Sequence, residues 1–167
     1  MCADDDVVMV DSLPVLRDFL QKHHDFSAAH GWYFTFYDNV HLGITSIVYS
    51  GPSIDRDDPF LRLRDLLNRY EAVTYAVYRT DVMRRVLYEV QRVESMLARE
   101  LLAGELTVLW GKVARLPIFY YGRSLGPSES YAHWHPVNFL TNNHWYTLRN
   151  KVSSDYIESL CKRYLHT

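Results

Sequence analysis

The chain has 167 residues, of which 48% are apolar and 23% charged, and its formal net charge is −2. This length and composition are typical of one globular domain that buries roughly 70% of its unfolded surface, and they exclude a chain that is disordered throughout. The slightly acidic net charge also argues against tight binding of DNA.

The cysteines and the apolar segments of the sequence indicate where in the cell the protein is expected. Cys2 and Cys161 stand at opposite ends of the chain, which excludes a secreted disulfide framework. The first residues are acidic and lack the apolar core of a signal peptide. Residues 106–121 are the most apolar segment, but Lys112 and Arg115 interrupt it, so no membrane span is expected. We therefore expect a soluble intracellular protein, cytoplasmic in the simplest case. Organelle import without a cleavable presequence stays open.

The first elements follow an acidic stretch. Residues 1–6 are expected to form an acidic flexible tail ahead of one domain over residues 7–167. Ser12 followed by Pro14 is a helix-start signal. The helix is expected to end near His23, and its apolar face consists of Leu16, Phe19 and Leu20.

Two strands and a second helix are predicted next. The aromatic segment 32–37 and the β-branched segment 44–49 predict a hairpin or two successive strands. Asp58 followed by Pro59 predicts the start of a helix. Residues 73–78 favour a short strand, with a continued helix as the alternative. The apolar stripe of the second helix would be Phe60, Leu63, Leu66, Leu67 and Tyr70.

The strongest periodicity predicts one long helix over residues 80–103. Thr80 and Asp81 can cap its start and Gly104 its end. We expect this helix to pack across a sheet, or alternatively to pair with a helix of a second copy in a homo-oligomer. Its apolar stripe recurs every three or four residues and comprises Val82, Val86, Val90, Val93, Leu97 and Leu101.

The rest of the chain completes an α+β pattern. Residues 105–115 fit either strand or helix, whereas residues 116–121 predict a strand. Residues 122–136 predict a long loop, residues 145–152 a last strand, and residues 156–165 a terminal helix opened by a capping box. The predicted fold is a small antiparallel sheet packed against the long helix, with helices near both termini.

Three histidines close in sequence raise the question of a metal site. His133, His135 and His144, with Glu129 as an oxygen ligand, can be drawn as a zinc site, and thus as a metal-dependent enzyme. However, Pro136 follows directly and limits strand pairing there. Polar imidazoles between two tryptophans, without any metal or other cofactor, are the favoured interpretation.

A basic, aromatic carboxyl-terminal third raises a second alternative. Residues 111–167 carry 7 lysines and arginines against 3 carboxylates, interleaved with aromatic side chains. Proteins that bind single-stranded nucleic acid combine cations and aromatic rings in this way. The excess of positive charge is small, so this interpretation ranks behind a protein partner.

The sequence contains no complete catalytic set, since it lacks a phosphate-binding glycine loop and a nucleophile elbow. We therefore predict a non-catalytic interaction or structural protein, either an accessory subunit or an adaptor of a larger assembly. Cellular subunits and viral accessory proteins both belong to this class. The docking surface is predicted to lie in the aromatic, histidine-rich third and to comprise Tyr120, Tyr121, Arg123, Tyr131, Trp134, Trp145, Tyr146 and Arg149.

Overall fold

The computed structural model describes residues 2–3, 5–37, 43–93 and 96–125, which all belong to one unit, Met1–Gly126. Within them the chain forms four α-helices, a 3₁₀ turn and one five-stranded sheet, which confirms the α+β class. The elements in chain order are β1 (Val7–Val8), α1 (Ser12–Lys22), β2 (Phe26–Phe36), β3 (Ile44–Val48), α2 (Pro59–Asn68), the 3₁₀ turn Val73–Tyr75, β4 (Val77–Tyr78), α3 (Thr80–Val90), α4 (Met96–Trp110) and β5 (Lys112–Ser124).

The sheet is mixed, so the prediction of an antiparallel sheet was too simple. Its order is β1-β5-β2-β3, with β4 beside the start of β2. The two central strands, β2 and β5, run parallel, whereas β1, β3 and β4 pair antiparallel with their neighbours. Parallel pairing requires a long crossover connection, and three helices lie between β2 and β5 in the chain.

The predicted hairpin is confirmed as the antiparallel pair of β2 and β3. β2 begins at Phe26, six residues ahead of the predicted start. After Phe26 come the small residues Ser27, Ala28 and Ala29, all buried. They carry little β propensity of their own, and their place in the sheet is decided by packing on both faces.

The core lies on both faces of the central strands. Ala29 packs in a cluster with Leu16 and Leu20 of α1. Its neighbour Ala28 packs in a second cluster with Leu66 of α2 and Val108 of α4. Since successive strand residues point to opposite faces, α1 covers one face of the sheet, and α2 with α4 covers the other.

The single long helix over residues 80–103 was wrong. The chain forms two helices instead, and α4 continues to Trp110. Val82, Val86 and Val90 of α3 pack against Ala103 and Leu106 of α4. Three members of the predicted stripe, Val82, Val86 and Val90, are therefore buried within the chain.

Gly104, the predicted end of the long helix, lies inside α4. A Cβ atom there would stand 3.2 Å from Cγ2 of Val73 and 3.7 Å from Cδ2 of Leu66. The missing side chain thus lets the helix approach the 3₁₀ turn closely. Residues 105–110 are accordingly helical, while residues 112–115 begin β5, which contains the predicted strand 116–121.

Two described residues of the predicted tail over residues 1–6, Ala3 and Asp6, form hydrogen bonds with β5. Oδ1 of Asp6 accepts a hydrogen bond from the backbone N–H of Ser124 (3.0 Å), and its Oδ2 accepts one from the hydroxyl of Tyr121 (2.9 Å). The backbone N–H of Ala3 donates to the same hydroxyl, at 3.1 Å. The prediction of one domain over residues 7–167 extends beyond the described residues and stays a prediction.

Helix α2 begins where it was predicted, at Pro59, because the Asp58 carboxylate accepts the backbone N–H groups of Phe60 and Leu61. Its predicted apolar stripe was partly wrong, since Phe60 and Leu67 are exposed. The buried face instead contains a charged residue, Arg62.

Arg62 binds the carboxyl end of α4. Its Nε donates to the carbonyl of Val108 (2.6 Å), and its Nη2 donates to that of Leu109 (3.1 Å). Its Nη1 donates to the carbonyls of Arg56 (2.7 Å) and Asp57 (2.8 Å). The last carbonyls of a helix lack partners within it and carry partial negative charge. The guanidinium of Arg62 gives these carbonyls hydrogen-bond donors and places a positive charge beside them.

Candidate functional site

A buried ionic cluster occupies the centre of the molecule. His30 of β2 and Arg115 of β5 are register partners in the parallel pair. Glu71, just before the 3₁₀ turn, forms an ion pair with Nη2 of Arg115 through Oε2, and the same oxygen lies 3.9 Å from Nε2 of His30. The three side chains are only 2–3% exposed. No solute reaches their reactive atoms in this arrangement.

The cluster extends into two loops. Arg69, on the surface side, donates through Nε to Oε1 of Glu71 (3.1 Å) and through Nη2 to the carbonyl of Pro52 (3.1 Å). Arg115 donates through Nη1 to the carbonyl of Gly51 (2.6 Å). Its Nε is buried without a hydrogen-bond partner among the described residues. The cluster therefore fastens both loops to the central strands, which is a structural role.

His30 is electrically neutral at physiological pH. Burial, and then the positive charge of Arg115, lower the pKa of His30 to about 3. Its Nδ1 lies 2.9 Å from the carbonyl oxygen of Gly31, so this nitrogen carries the proton and donates it. The imidazole thus adds no charge to the cluster and does not compete with Arg115 for Glu71.

This burial predicts a pH dependence of stability. An unfolded histidine takes up a proton near pH 6.5, whereas His30 in the folded chain stays neutral down to about pH 3. Protons therefore favour the unfolded chain, and stability falls as the pH drops from 6.5 towards 3. Over that window His30 should contribute a slope of about 1.4 kcal/mol per pH unit.

Urea unfolding at a series of pH values should give a shallower profile for His30→Gln than for wild type. The exposed His24→Gln serves as control, and equal slopes for wild type and His30→Gln would contradict this assignment.

Two of the predicted docking residues are core residues instead. Tyr121 is fully buried, and Tyr120 nearly so, in the cluster that contains Tyr33. Their hydroxyls are satisfied inside, since Tyr120 donates to the carbonyl of Tyr75 (2.6 Å) and Tyr121 to Oδ2 of Asp6. Burial raises the pKa of Tyr120 to about 12. A tyrosine can be buried when its hydroxyl finds such a partner, so neither ring contributes to a docking surface.

Arg123 is half-buried at the end of β5. Its guanidinium carbon stands 5.9 Å from the centre of the Tyr75 ring, a cation–π distance. Its Nη1 lies 3.4 Å from the hydroxyl of Tyr49. The structure thus places Arg123 over the rim of the tyrosine cluster.

The other residues of the predicted sites lie outside the described residues. Among the residues that are described, no group of three histidine, cysteine or carboxylate side chains could hold a metal ion, so the zinc site stays a prediction. No helix in the described ranges is long and apolar enough to cross a bilayer. The undescribed site residues are Tyr131, Trp134, Trp145, Tyr146 and Arg149 for docking, and Glu129, His133, His135 and His144 for a metal.

Sequence reasoning missed a group of exposed apolar side chains between residues 7 and 15. We call it the amino-terminal apolar surface. Its five members are all between 37% and 68% exposed: Val7, Met9, Val10, Leu13 and Val15. Two backbone bonds form a tight turn within it, from Ser12 to the carbonyl of Met9 (2.9 Å) and from Leu13 to that of Val10 (3.1 Å). Five exposed apolar side chains thus fall within nine consecutive residues, whereas a single exposed apolar residue needs no explanation.

Acidic residues flank the amino-terminal apolar surface. Asp5 precedes it, Asp11 lies within it and Asp18 follows it, and all three are exposed. Val8, between Val7 and Met9, turns inward and packs on the core cluster. The available signal was the apolar run from residue 7 to residue 10, whose alternate members a short strand exposes.

Comparison with known proteins does not identify the function of this site. No model of a known protein family matches the chain, and no curated protein matches it either.

Proposed function

We propose that this chain is a non-catalytic protein-interaction or structural protein, an accessory subunit or adaptor of a larger assembly. The observation that carries the proposal is the amino-terminal apolar surface, with its exposed side chains from Val7 to Val15. Exposed apolar groups that polar residues flank are typical of sites that another protein covers. The acidic residues Asp5, Asp11 and Asp18 would form its polar rim.

The use of the buried polar groups supports the same function. His30, Glu71 and Arg115 are sealed in the core, and Arg62 binds backbone carbonyls. A catalytic group needs access to substrate and a pKa suited to proton transfer. These four residues are instead engaged in holding loops and helix ends together.

The aromatic carboxyl-terminal segment remains a second candidate surface for the same function. Trp134 and Trp145 are its proposed anchors, because large aromatic side chains dominate the energetics of protein interfaces. Tyr120 and Tyr121 no longer belong to it, since both are buried.

The test compares capture of partner proteins by matched variants. Val10→Ser/Val15→Ser disrupts the amino-terminal apolar surface, and Trp134→Ala/Trp145→Ala removes the carboxyl-terminal anchors. Phe60→Ser/Leu67→Ser is the control, since both of these α2 side chains are also exposed. Each variant of the whole chain is immobilised on beads and incubated with extract of the source cells. The bound proteins are then quantified by mass spectrometry.

One partner should be retained by wild type and by the α2 control. The amount of this partner that is captured should fall by about tenfold or more with the Val10→Ser/Val15→Ser variant, as expected when anchor residues are lost. Loss with the tryptophan variant alone would move the docking site to the carboxyl-terminal segment. Retention by all variants alike would contradict the proposed function.

A further inference from the structure

β3 is an open edge of the sheet. It is the last strand in the order β1-β5-β2-β3, and no described strand pairs with its outer side. Ile44 is 58% exposed and Ile47 is 48% exposed. The outward N–H and C=O groups of such an edge are ready to pair with another strand.

The usual protection of an edge strand is weak here. Proteins shield edges with lysine, proline, inward charges, bulges or very short strands. The sequence of β3, Ile-Thr-Ser-Ile-Val, contains no charged residue and no proline. The one register shift against β2 falls between Thr35 and Phe36, at the Ile44 end. The opposite edge, β1, is only two residues long.

The carboxyl end of the open edge is well defined. Tyr49, directly after β3, has a φ of 52°, in the left-handed region that non-glycine residues rarely adopt. This turns the chain away from the strand direction. Tyr49 holds this conformation with its ring packed edge-on against Tyr33, at 5.1 Å between ring centres. The exposed edge is therefore a strand of five residues.

We propose that β3 pairs antiparallel with β3 of a second copy of this chain, about a twofold axis at Ser46. In this register Ile44 lies opposite Val48 of the second copy, and Thr45 lies opposite its Ile47. These cross-strand pairs are β-branched on both sides, a favourable combination, and no like charges face each other. Because the five residues are self-complementary and uncharged, the same surface serves both copies, as a twofold interface requires.

The first test measures the mass of the full chain in solution. A five-residue strand pair is a small interface, so the dimer should be weak. The fraction of chains in the dimer should rise as the protein concentration increases from about 1 to about 200 µM. Sedimentation equilibrium should show a monomer–dimer equilibrium for wild type. Ile47→Lys, which places a lysine on the edge, should weaken it by about tenfold or more. The control is Leu67→Lys on the exposed face of α2, which should dimerise like wild type.

The second test fixes the register. In a chain with Cys2→Ser and Cys161→Ser, an added Ser46→Cys places two thiols on the axis. Directly opposite residues have Cα atoms about 4.5–5.5 Å apart, within the range of a disulfide. Mild oxidation should then yield a covalent dimer. Ile44→Cys is the control, because its two copies would lie roughly 13 Å apart along the strands.

A wild-type chain that stays monomeric over the whole concentration range would overturn the proposal. So would a dimer that Ile47→Lys leaves intact, or equal crosslinking of the Ser46→Cys and Ile44→Cys chains. None of these measurements requires the partner protein of the proposed function, so the two proposals succeed or fail separately.

Discussion

Replacing Glu71 by glutamine is expected to destabilise the folded chain by about 3–5 kcal/mol, the usual cost of breaking a buried ion pair. The carboxylate is the only counter-charge that the described contacts give to the guanidinium of Arg115, whose side chain is buried beside it. Burial and the charge of Arg69 already lower the pKa of Arg115 to about 10. With a neutral amide at position 71, the buried cation keeps its hydrogen bond to the Gly51 carbonyl but loses the counter-charge that Glu71 supplied. Urea unfolding at neutral pH measures the loss.

A matched surface carboxylate separates burial from charge pairing. Asp65 also meets two arginines, Arg56 at 3.2 Å and Arg64 at 3.8 Å, but its side chain is partly exposed. Asp65→Asn should cost no more than about 1 kcal/mol, as for surface ion pairs in general. A double variant, Glu71→Gln/Arg115→Met, should recover part of the loss because it also removes the stranded cation. Equal losses for Glu71→Gln and Asp65→Asn would contradict the claim that burial makes the Glu71–Arg115 pair costly to break.

Replacing Arg62 by methionine is expected to cost a similar amount, about 3–5 kcal/mol. Methionine keeps the apolar stem but leaves the carbonyls of Arg56, Asp57, Val108 and Leu109 without this donor. Only 6% of the residue is exposed, so water cannot easily replace the guanidinium. Domains of this kind are stable by about 5–15 kcal/mol, so the variant should lose a large fraction of its stability.

Two further variants test the role of the Arg62 guanidinium. Arg64→Met, on the exposed side of the same helix, should change the free energy of unfolding by less than about 0.5 kcal/mol. Arg62→Lys should rescue only part of the loss, because an ammonium group lacks the planar fork that reaches four carbonyls. Full rescue by lysine would mean that charge alone matters and that the hydrogen-bond geometry does not.

Local signals were sufficient for several elements of the fold. The Asp58–Pro59 pair fixed the start of α2, because a carboxylate cap and a proline both act within one turn. The break between α3 and α4 gave no such signal, since the apolar periodicity continues through Val90 and Val93. The chain folds back because Val82 and Val86 can then bury against α4. That gain depends on tertiary contacts, which periodicity does not contain.

The buried polar groups were the hardest to predict. Arginine and glutamate are almost always exposed unless they are paired, so residue type alone does not separate Arg62 from Arg64 or Glu71 from Glu89. Position offers one clue, since Arg62 lies four residues before the buried Leu66, on the same helix face. Tyr120 and Tyr121 misled for a related reason. Their polar hydroxyls suggest surface positions. Inside the fold, however, the carbonyl of Tyr75 and the carboxylate of Asp6, both distant in sequence, accept hydrogen bonds from these hydroxyls.

The most direct test of the central claim is the affinity of the purified chain for its captured partner, measured by titration calorimetry. We predict that Val10→Ser/Val15→Ser weakens binding by about tenfold or more. Its free energy of unfolding should stay within about 0.5 kcal/mol of wild type, because both side chains are exposed. Unchanged affinity, or a loss of affinity that only follows a loss of stability, would contradict a docking role for the amino-terminal apolar surface.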